Sequence, residues 1–257
     1  MMLASSLIFL YIISRVCFLF FFSSIGAMTG WMIVILGASS VFLGVTMAIP
    51  QRNLKRLMGY SAIAEIGYVM LGVGAGLTGM PVVSGFAMKA LYGGLFHIIN
   101  DALDLSLMFL AAGAVFYITG KDDLNEVGGL AHRSGFLAVL FMIGLLAIAG
   151  MPPMGGFASK LMIYESLFYF NPMLSIIGIL GSIMMLAIFV KIFASVFLGV
   201  PYKGHVEKVP NTMLFVMSVL AFFILLFGIF PNLALDLLIK PAADALVNTQ
   251  AYIGGVL

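Results

Sequence analysis

Gly150-Met151-Pro152-Pro153-Met154-Gly155-Gly156 interrupts an apolar stretch that runs from about residue 134 to 171. The two prolines remove backbone donors and the glycines loosen the chain, so no continuous helix passes through it. The flanks, 134–149 and 157–170, are apolar, yet each is short of the roughly 20 residues that a membrane crossing needs. The segment therefore reads as one crossing built from two half-helices, with Asn171-Pro172 turning into the next helix. A rival reading puts the glycine–proline segment in a surface loop and breaks the following helix at Asn171-Pro172. The number of crossings is the same in both.

Outward from this segment the chain is as apolar as the reading requires. Of 257 residues, 63% are hydrophobic and only 9% are charged, 12 Lys/Arg against 10 Asp/Glu. A soluble domain carries about a quarter charged residues, so a soluble globular enzyme is excluded, and so is a disordered chain. The net charge of +2 forms no basic patch for nucleic acid, and the single cysteine, Cys17, excludes an internal disulfide and cysteine-based metal sites. What remains is an all-α, polytopic membrane protein, because lipid demands that backbone groups be paired internally. Apolar stretches near 3–25, 29–49, 57–77, 84–118, 134–171, 173–199 and 211–230 give about seven crossings, one of them discontinuous. The stretch 84–118 is too long for a plain span and is expected to tilt or to start in the interface. The first stretch lacks a basic leader and contains Arg15, so it reads as a retained helix rather than a signal peptide.

Loop charge sets an orientation. The connections at 50–56, 119–133 and 200–210 hold Arg52, Lys55, Arg56, Lys121, Arg133, Lys203 and Lys208, whereas those at 26–28, 78–83 and 172 hold no charge. The basic set is expected in the cytoplasm, which puts the N-terminus inside and the C-terminus outside, in a cell membrane. Residues 1–230 read as one transmembrane domain. Residues 231–257 are too polar to span and read as an amphipathic extracytoplasmic tail, with Leu233, Leu235, Leu237, Leu238 and Ile239 lying on lipid or on a neighbouring subunit.

Eight charged residues fall within the expected spans: Arg15, Glu65, Lys89, Asp101, Asp104, Lys160, Glu165 and Lys191. An ionisable group there marks a functional site and calls for a partner. His97, Asn100, Asp101 and Asp104, spaced i, i+3, i+4 and i+7, share one face of a helix. Such a stripe suits a proton relay or hydrated path, or a polar contact that fixes helix packing. Lys160 follows the break, where loose carbonyls and a helix end stabilise charge; the alternative is a lysine snorkelling to the outer surface. Glu65, ten residues beyond Lys55, falls near the midplane and is a candidate partner for Lys160 or for the stripe. Glu165 is expected to pair across to another helix. Lys89 sits at the edge of the stripe, as a snorkelling lysine or a relay member, and Lys191 is expected to snorkel. Arg15 needs a partner that the sequence does not identify. His97 and Asp101 have metal-compatible spacing but no second histidine-rich element, so no metal is expected, and no motif for a nucleotide, haem or flavin cofactor occurs.

Four segments then carry a resemblance. Asn53-Leu54-Lys55-Arg56-Leu57-Met58-Gly59-Tyr60-Ser61, Ile66-Gly67-Tyr68, the helix Phe96-His97-Ile98-Ile99-Asn100-Asp101-Ala102-Leu103 with Leu107-Met108-Phe109-Leu110, and Gly150 to Lys160 resemble the antiporter-like subunits of respiratory complex I, Mrp-type cation/proton antiporters and membrane-bound hydrogenases. The resemblance implies a fold of about 14 helices with two inverted repeats, each containing a broken helix. This chain is similar to the second half only. Lys160 matches the lysine of the second broken helix and Lys55 that of the cytoplasmic entrance. Leu7 stands where a lysine is usual, Asp101 where histidine is common and Leu105 where lysine is common.

By that resemblance the chain is expected to be a half-length subunit of a redox-linked complex that moves protons or Na+ along midplane charges. Its implied partners are a further antiporter-like subunit and the membrane anchor of the redox module. The redox chemistry would lie in other chains. The implied carriers are Lys160, His97, Asp101 and Asp104, with Glu65, Lys55, Glu165 and Lys89 in support. The alternative is a structural linker between a pump and a redox module, its charges being remnants.

Overall fold

The computed structural model describes residues 11, 12, 14–17, 26–79, 84–202, 204 and 207–248. Expectations that rest on Leu7, Lys203, residues 80–83 or the end of the tail from 249 lie outside these residues. Helix α1 is Gly26–Ala48, α2 Leu54–Gly79, α3 Ser84–Thr119, α4 Gly135–Ile148, α5 Gly155–Phe170, α6 Pro172–Phe193 and α7 Asn211–Ile229. A π turn, Ala194–Leu198, extends α6. Five of these helices are long and apolar enough to cross a membrane, and α4 is a shorter apolar helix directly before α5. Together they match six of the expected spans in position. Of the first span, residues 11, 12 and 14–17 are helical. One boundary is corrected: the expected connection at 26–28 lies inside α1, because the apolar run carries helical structure back to Gly26.

Helices α1 and α2 form an antiparallel hairpin whose seam is glycine. Gly30, Gly37 and Gly44 recur every two turns and face Gly74, Gly67 and Ala64. A methyl group added at Gly37 would lie 2.8 Å from the Gly67 carbonyl oxygen. Small residues are what allow membrane helices to approach this closely, since lipid supplies no hydrophobic drive between them. The run Gly72–Gly76 serves both neighbours of α2: Gly74 abuts α1, and Gly72 abuts Gly94 of α3.

Helix α3 runs unbroken for 36 residues, about 54 Å at 1.5 Å per residue, well beyond a hydrocarbon core of about 30 Å. Its far end reaches the loops that carry the basic residues. There Leu54 N–H donates to the Asp122 carbonyl and Leu124 N–H to the Arg52 carbonyl, both at 2.9 Å, tying the start of α2 to the loop after α3.

The break itself is as the sequence implies: α4 ends at Ile148, a short loop follows, and α5 begins at Gly155. The tail, by contrast, packs into the bundle. It forms α8 (Pro231–Ala234), a π turn (Leu235–Ile239) and α9 (Lys240–Val247). Ala234, Ile239, Ala243 and Leu246 are buried in one cluster with Val73, Leu77, Leu91, Leu95 and Phe96. Leu233, Leu237 and Leu238 stay exposed, so the apolar residues of the tail divide between the bundle and its surroundings.

Candidate functional site

Breaking a helix leaves carbonyls without partners at the end of one half and N–H groups without partners at the start of the other. The structure places opposite charges at the two ends. Lys160, in the second turn of α5, folds back so that its Nζ donates to the carbonyl of Ile148, the last residue of α4, at 2.6 Å. A cation there also meets the negative end of the α4 dipole. The loop can turn this tightly because Gly150 has a φ of +70°. A methyl group there would also lie 2.9 Å from Lys160 Cδ.

At the start of α5 stand the carboxylates of α3. Asp104 Oδ2 lies where a methyl group on Gly156 would approach within 3.1 Å, and Asn100 Nδ2 donates to the Gly155 carbonyl at 3.0 Å. Asp101 and Asp104 are buried, and none of their four carboxylate oxygens has a hydrogen-bond partner among the described residues. Polar groups buried in this way are rare, because leaving one unpaired costs free energy.

Glu65 of α2 joins the two sides. Its Oε1 accepts from Lys160 Nζ at 2.9 Å, and its Oε2 lies 3.1 Å from His97 Nε2. All three side chains are at most 1% exposed. The histidine contact is at ion-pair distance but outside hydrogen-bond geometry. On its other side, His97 Nδ1 is 3.0 Å from Ser159 Oγ, and that hydroxyl is 3.2 Å from the Gly156 carbonyl. Two proton arrangements fit this geometry. If Ser159 donates to Gly156, His97 Nδ1 is the donor to Ser159 and a second proton on Nε2 is needed to meet Glu65. If Ser159 turns to donate to Nδ1, a neutral imidazole carries its one proton on Nε2, facing Glu65. The two states differ by one proton on Nδ1 and one rotation of the Ser159 hydroxyl.

Tyr68, one turn beyond Glu65, roofs the group. Lys160 Nζ sits 4.3 Å from its ring centroid, a cation–π distance, and the ring meets His97 edge-on with centroids 5.8 Å apart. The Tyr68 hydroxyl bonds the Gly178 carbonyl at 2.8 Å and lies 3.1 Å from Ser182 Oγ, which is 2.6 Å from the Tyr164 hydroxyl. Beside them is a cavity of roughly 170 Å³ between the break, α5 and α6, lined by Lys160, Tyr164 and Ser182 with apolar walls that include Leu161 and Ile183.

The structure thus gathers Lys160, Glu65, His97, Asp101 and Asp104, and Glu65 partners both Lys160 and the stripe. The other expected site residues lie apart. Lys89 and Glu165 form an ion pair at 2.7 Å, each partly exposed. Lys55 is exposed near Asp122, 3.5 Å away, and over the Phe116 ring. Arg15 Nη1 donates to the Ala245 carbonyl at 3.0 Å, near the C-terminal end of α9, where a cation is favourable. Sequence reasoning assigned no role to Tyr68, Ser159, Tyr164 or Ser182. A signal was present for two of them, since Tyr68 and Tyr164 stand i+3 from Glu65 and i+4 from Lys160, hence on the same helix faces. Among the described residues no group of three or more His, Cys, Asp or Glu could hold a metal ion.

These charges lie together inside a bundle of apolar helices, and comparison with known proteins places the chain in a family. Residues 1–189 match the family described as NADH:quinone oxidoreductase/Mrp antiporter, TM. The chain belongs to this family. It is 31% identical over 192 residues to formate hydrogenlyase subunit 3 of Escherichia coli (strain K12), covering 70% of this chain and 31% of that one. Hydrogenase-4 component B of the same strain is 34% identical over 207 residues, covering 75% of this chain and 31% of its own. The chain thus spans about a third of the length of these curated antiporter-family relatives. The solved Mrp complex from Dietzia sp. DQ12-45-1b contains a chain that superposes with a TM-score of 0.78 at 22% identity, over 89% of this chain and 49% of that one. It shows that the antiporter-like fold is shared. The chain is a multi-pass membrane protein of the antiporter-like type.

Proposed function

We propose that the chain moves protons or Na+ through the bundle as a subunit of a redox-linked or Mrp-type membrane complex. The observation that carries this reading is the Glu65 carboxylate shared between Lys160 and His97, beside two carboxylates that have no donor among the described residues. In this reading the basic loops face the cytoplasm, and Lys55 stands at the entrance on that side. An ion arriving from there is held first at Asp104 and Asp101, then passes by His97 to the Glu65–Lys160 pair. The coupling is electrostatic. One carboxylate balances one positive charge, so a proton gained on His97 weakens the hold of Glu65 on protonated Lys160 and favours release of the Lys160 proton. Lys89 and Glu165 form the outer end, pinning α5 to α3. The partners are other membrane subunits, and the electron chemistry belongs to other chains.

Lys160→Met in the assembled complex tests this. Coupled ion transport is expected to be lost while electron transfer on the soluble arm continues. Ion transport at the parent rate in that variant would overturn the role.

A further inference from the structure

The three lysines within the spans differ in how their charge is met. Among the described residues, Lys89 and Lys160 pair with Glu165 and Glu65, whereas Lys191 has no carboxylate within 4 Å. Lys191 sits on α6 seven residues before the end of the π turn, about 10 Å inside the end of the helix at 1.5 Å per residue. It lines a lateral groove of about 260 Å³, open at the side of the bundle between the end of α1, the start of α2 and α6. Gln51 is the other polar side chain in the lining, and the walls are apolar, with Ile49, Leu57, Met184 and Ile188 among them. No acidic residue lines it. Arg52 follows Gln51 in sequence, and its carbonyl holds Leu124, which also lines the groove.

We propose that this groove binds an anionic phospholipid from the leaflet that borders the basic loops, its phosphate on Lys191 and Gln51 and an acyl chain along Ile49, Leu57, Met184 and Ile188. Charge complementarity selects this occupant. An ammonium without a counter-charge at this depth favours an anion, and a leaflet of anionic lipid supplies phosphates next to the helix ends. The apolar walls select a lipid over a free phosphate, which has nothing to place against them. The lateral opening gives a lipid direct access. A neighbouring protein helix would need to bring its own carboxylate to the same level. The inference needs only the membrane placement of the bundle and does not depend on ion transport.

The full chain is purified in mild detergent, loaded with a mixture of phosphatidylglycerol and phosphatidylcholine, washed, and its retained lipid counted by native mass spectrometry. The parent is expected to retain phosphatidylglycerol selectively. Lys191→Gln is expected to lower that retention at least fivefold and leave phosphatidylcholine unchanged. Ala187→Trp, which fills the groove from its exposed lining and keeps the charge, is expected to lower it as well, and Lys240→Gln at the opposite end of the bundle is expected to leave it unchanged. Each variant must elute as one symmetrical species in size exclusion. Equal phosphatidylglycerol retention by Lys191→Gln and the parent would overturn the proposal. So would displacement of the lipid by millimolar inorganic phosphate, which means a simple anion site. A crosslink from Lys191 to a carboxylate of another subunit in the assembled complex, without retained lipid, assigns the groove to a protein and equally overturns it.

Discussion

Lys160 Nζ and Glu65 Oε1 meet at 2.9 Å inside the bundle, each side chain about 1% exposed. A buried ion pair of this kind is costly to break from one side, because the remaining charge is stranded in a medium that solvates it poorly. Glu65→Gln alone is therefore expected to destabilise the folded chain by about 3–5 kcal/mol. The double variant Glu65→Gln with Lys160→Met is expected to be less destabilised than the sum of its parts, as coupled neighbours are. Denaturant unfolding in detergent measures the cycle. Additive effects would mean that the pair is not coupled in the membrane state.

The Lys89–Glu165 pair presents the opposite case. Both side chains are about 40% exposed, and exposed ion pairs contribute at most about 1 kcal/mol. Neutralising either one is expected to change stability by less than that, and the charge-swapped double variant, Lys89→Glu with Glu165→Lys, to recover the parent value. A loss of several kcal/mol in either single variant would show that the pair is desolvated in the assembled membrane complex.

Gly150→Ala tests the geometry of the break. Alanine there must adopt a left-handed backbone, costing about 1–2 kcal/mol, and its methyl group presses on Lys160 Cδ. A loss of stability of that size is expected, with a fall in ion transport because Lys160 is displaced. Gly59→Ala, in α2 with nothing within 4 Å of the added methyl group, is the control. It is expected to be neutral or to stabilise by up to about 1 kcal/mol. Equal effects at both positions would contradict the tight turn.

Tyr68 holds Lys160 with its ring and α6 with its hydroxyl. Tyr68→Phe keeps the ring and is expected to cost about 1 kcal/mol, the net value of a hydrogen bond, with transport largely retained. Tyr68→Leu removes the face over Lys160 as well and is expected to reduce transport further. The two variants compared in one proteoliposome assay separate the roles. Identical losses would assign the effect to the hydroxyl alone.

How much of this was legible in the sequence follows from the range of each signal. The helix break is local: two prolines and three glycines in seven residues announce it without any knowledge of neighbours. The stripe His97, Asn100, Asp101, Asp104 is also legible, because helical spacing alone puts the four on one face, and all four are buried. The double engagement of Glu65 is different. Spacing put it near the midplane, but a register between three helices decides that one oxygen meets Lys160 and the other His97. The same holds for Arg15, whose acceptor is a backbone carbonyl 230 residues away that no side-chain pattern encodes. Ser182 gave no signal either, since a serine in an apolar helix commonly bonds its own helix, and only the packing of α6 against Tyr68 and Tyr164 gives it partners.

The most direct test of the account is ion flux through the reconstituted complex when Lys160, Asp101 and Asp104 are all neutralised by Lys160→Met, Asp101→Asn and Asp104→Asn. The account predicts an assembled complex with electron transfer continuing and ion flux below a tenth of the parent value. Full ion flux with intact assembly would contradict it and make the chain a structural link between a pump and its redox module.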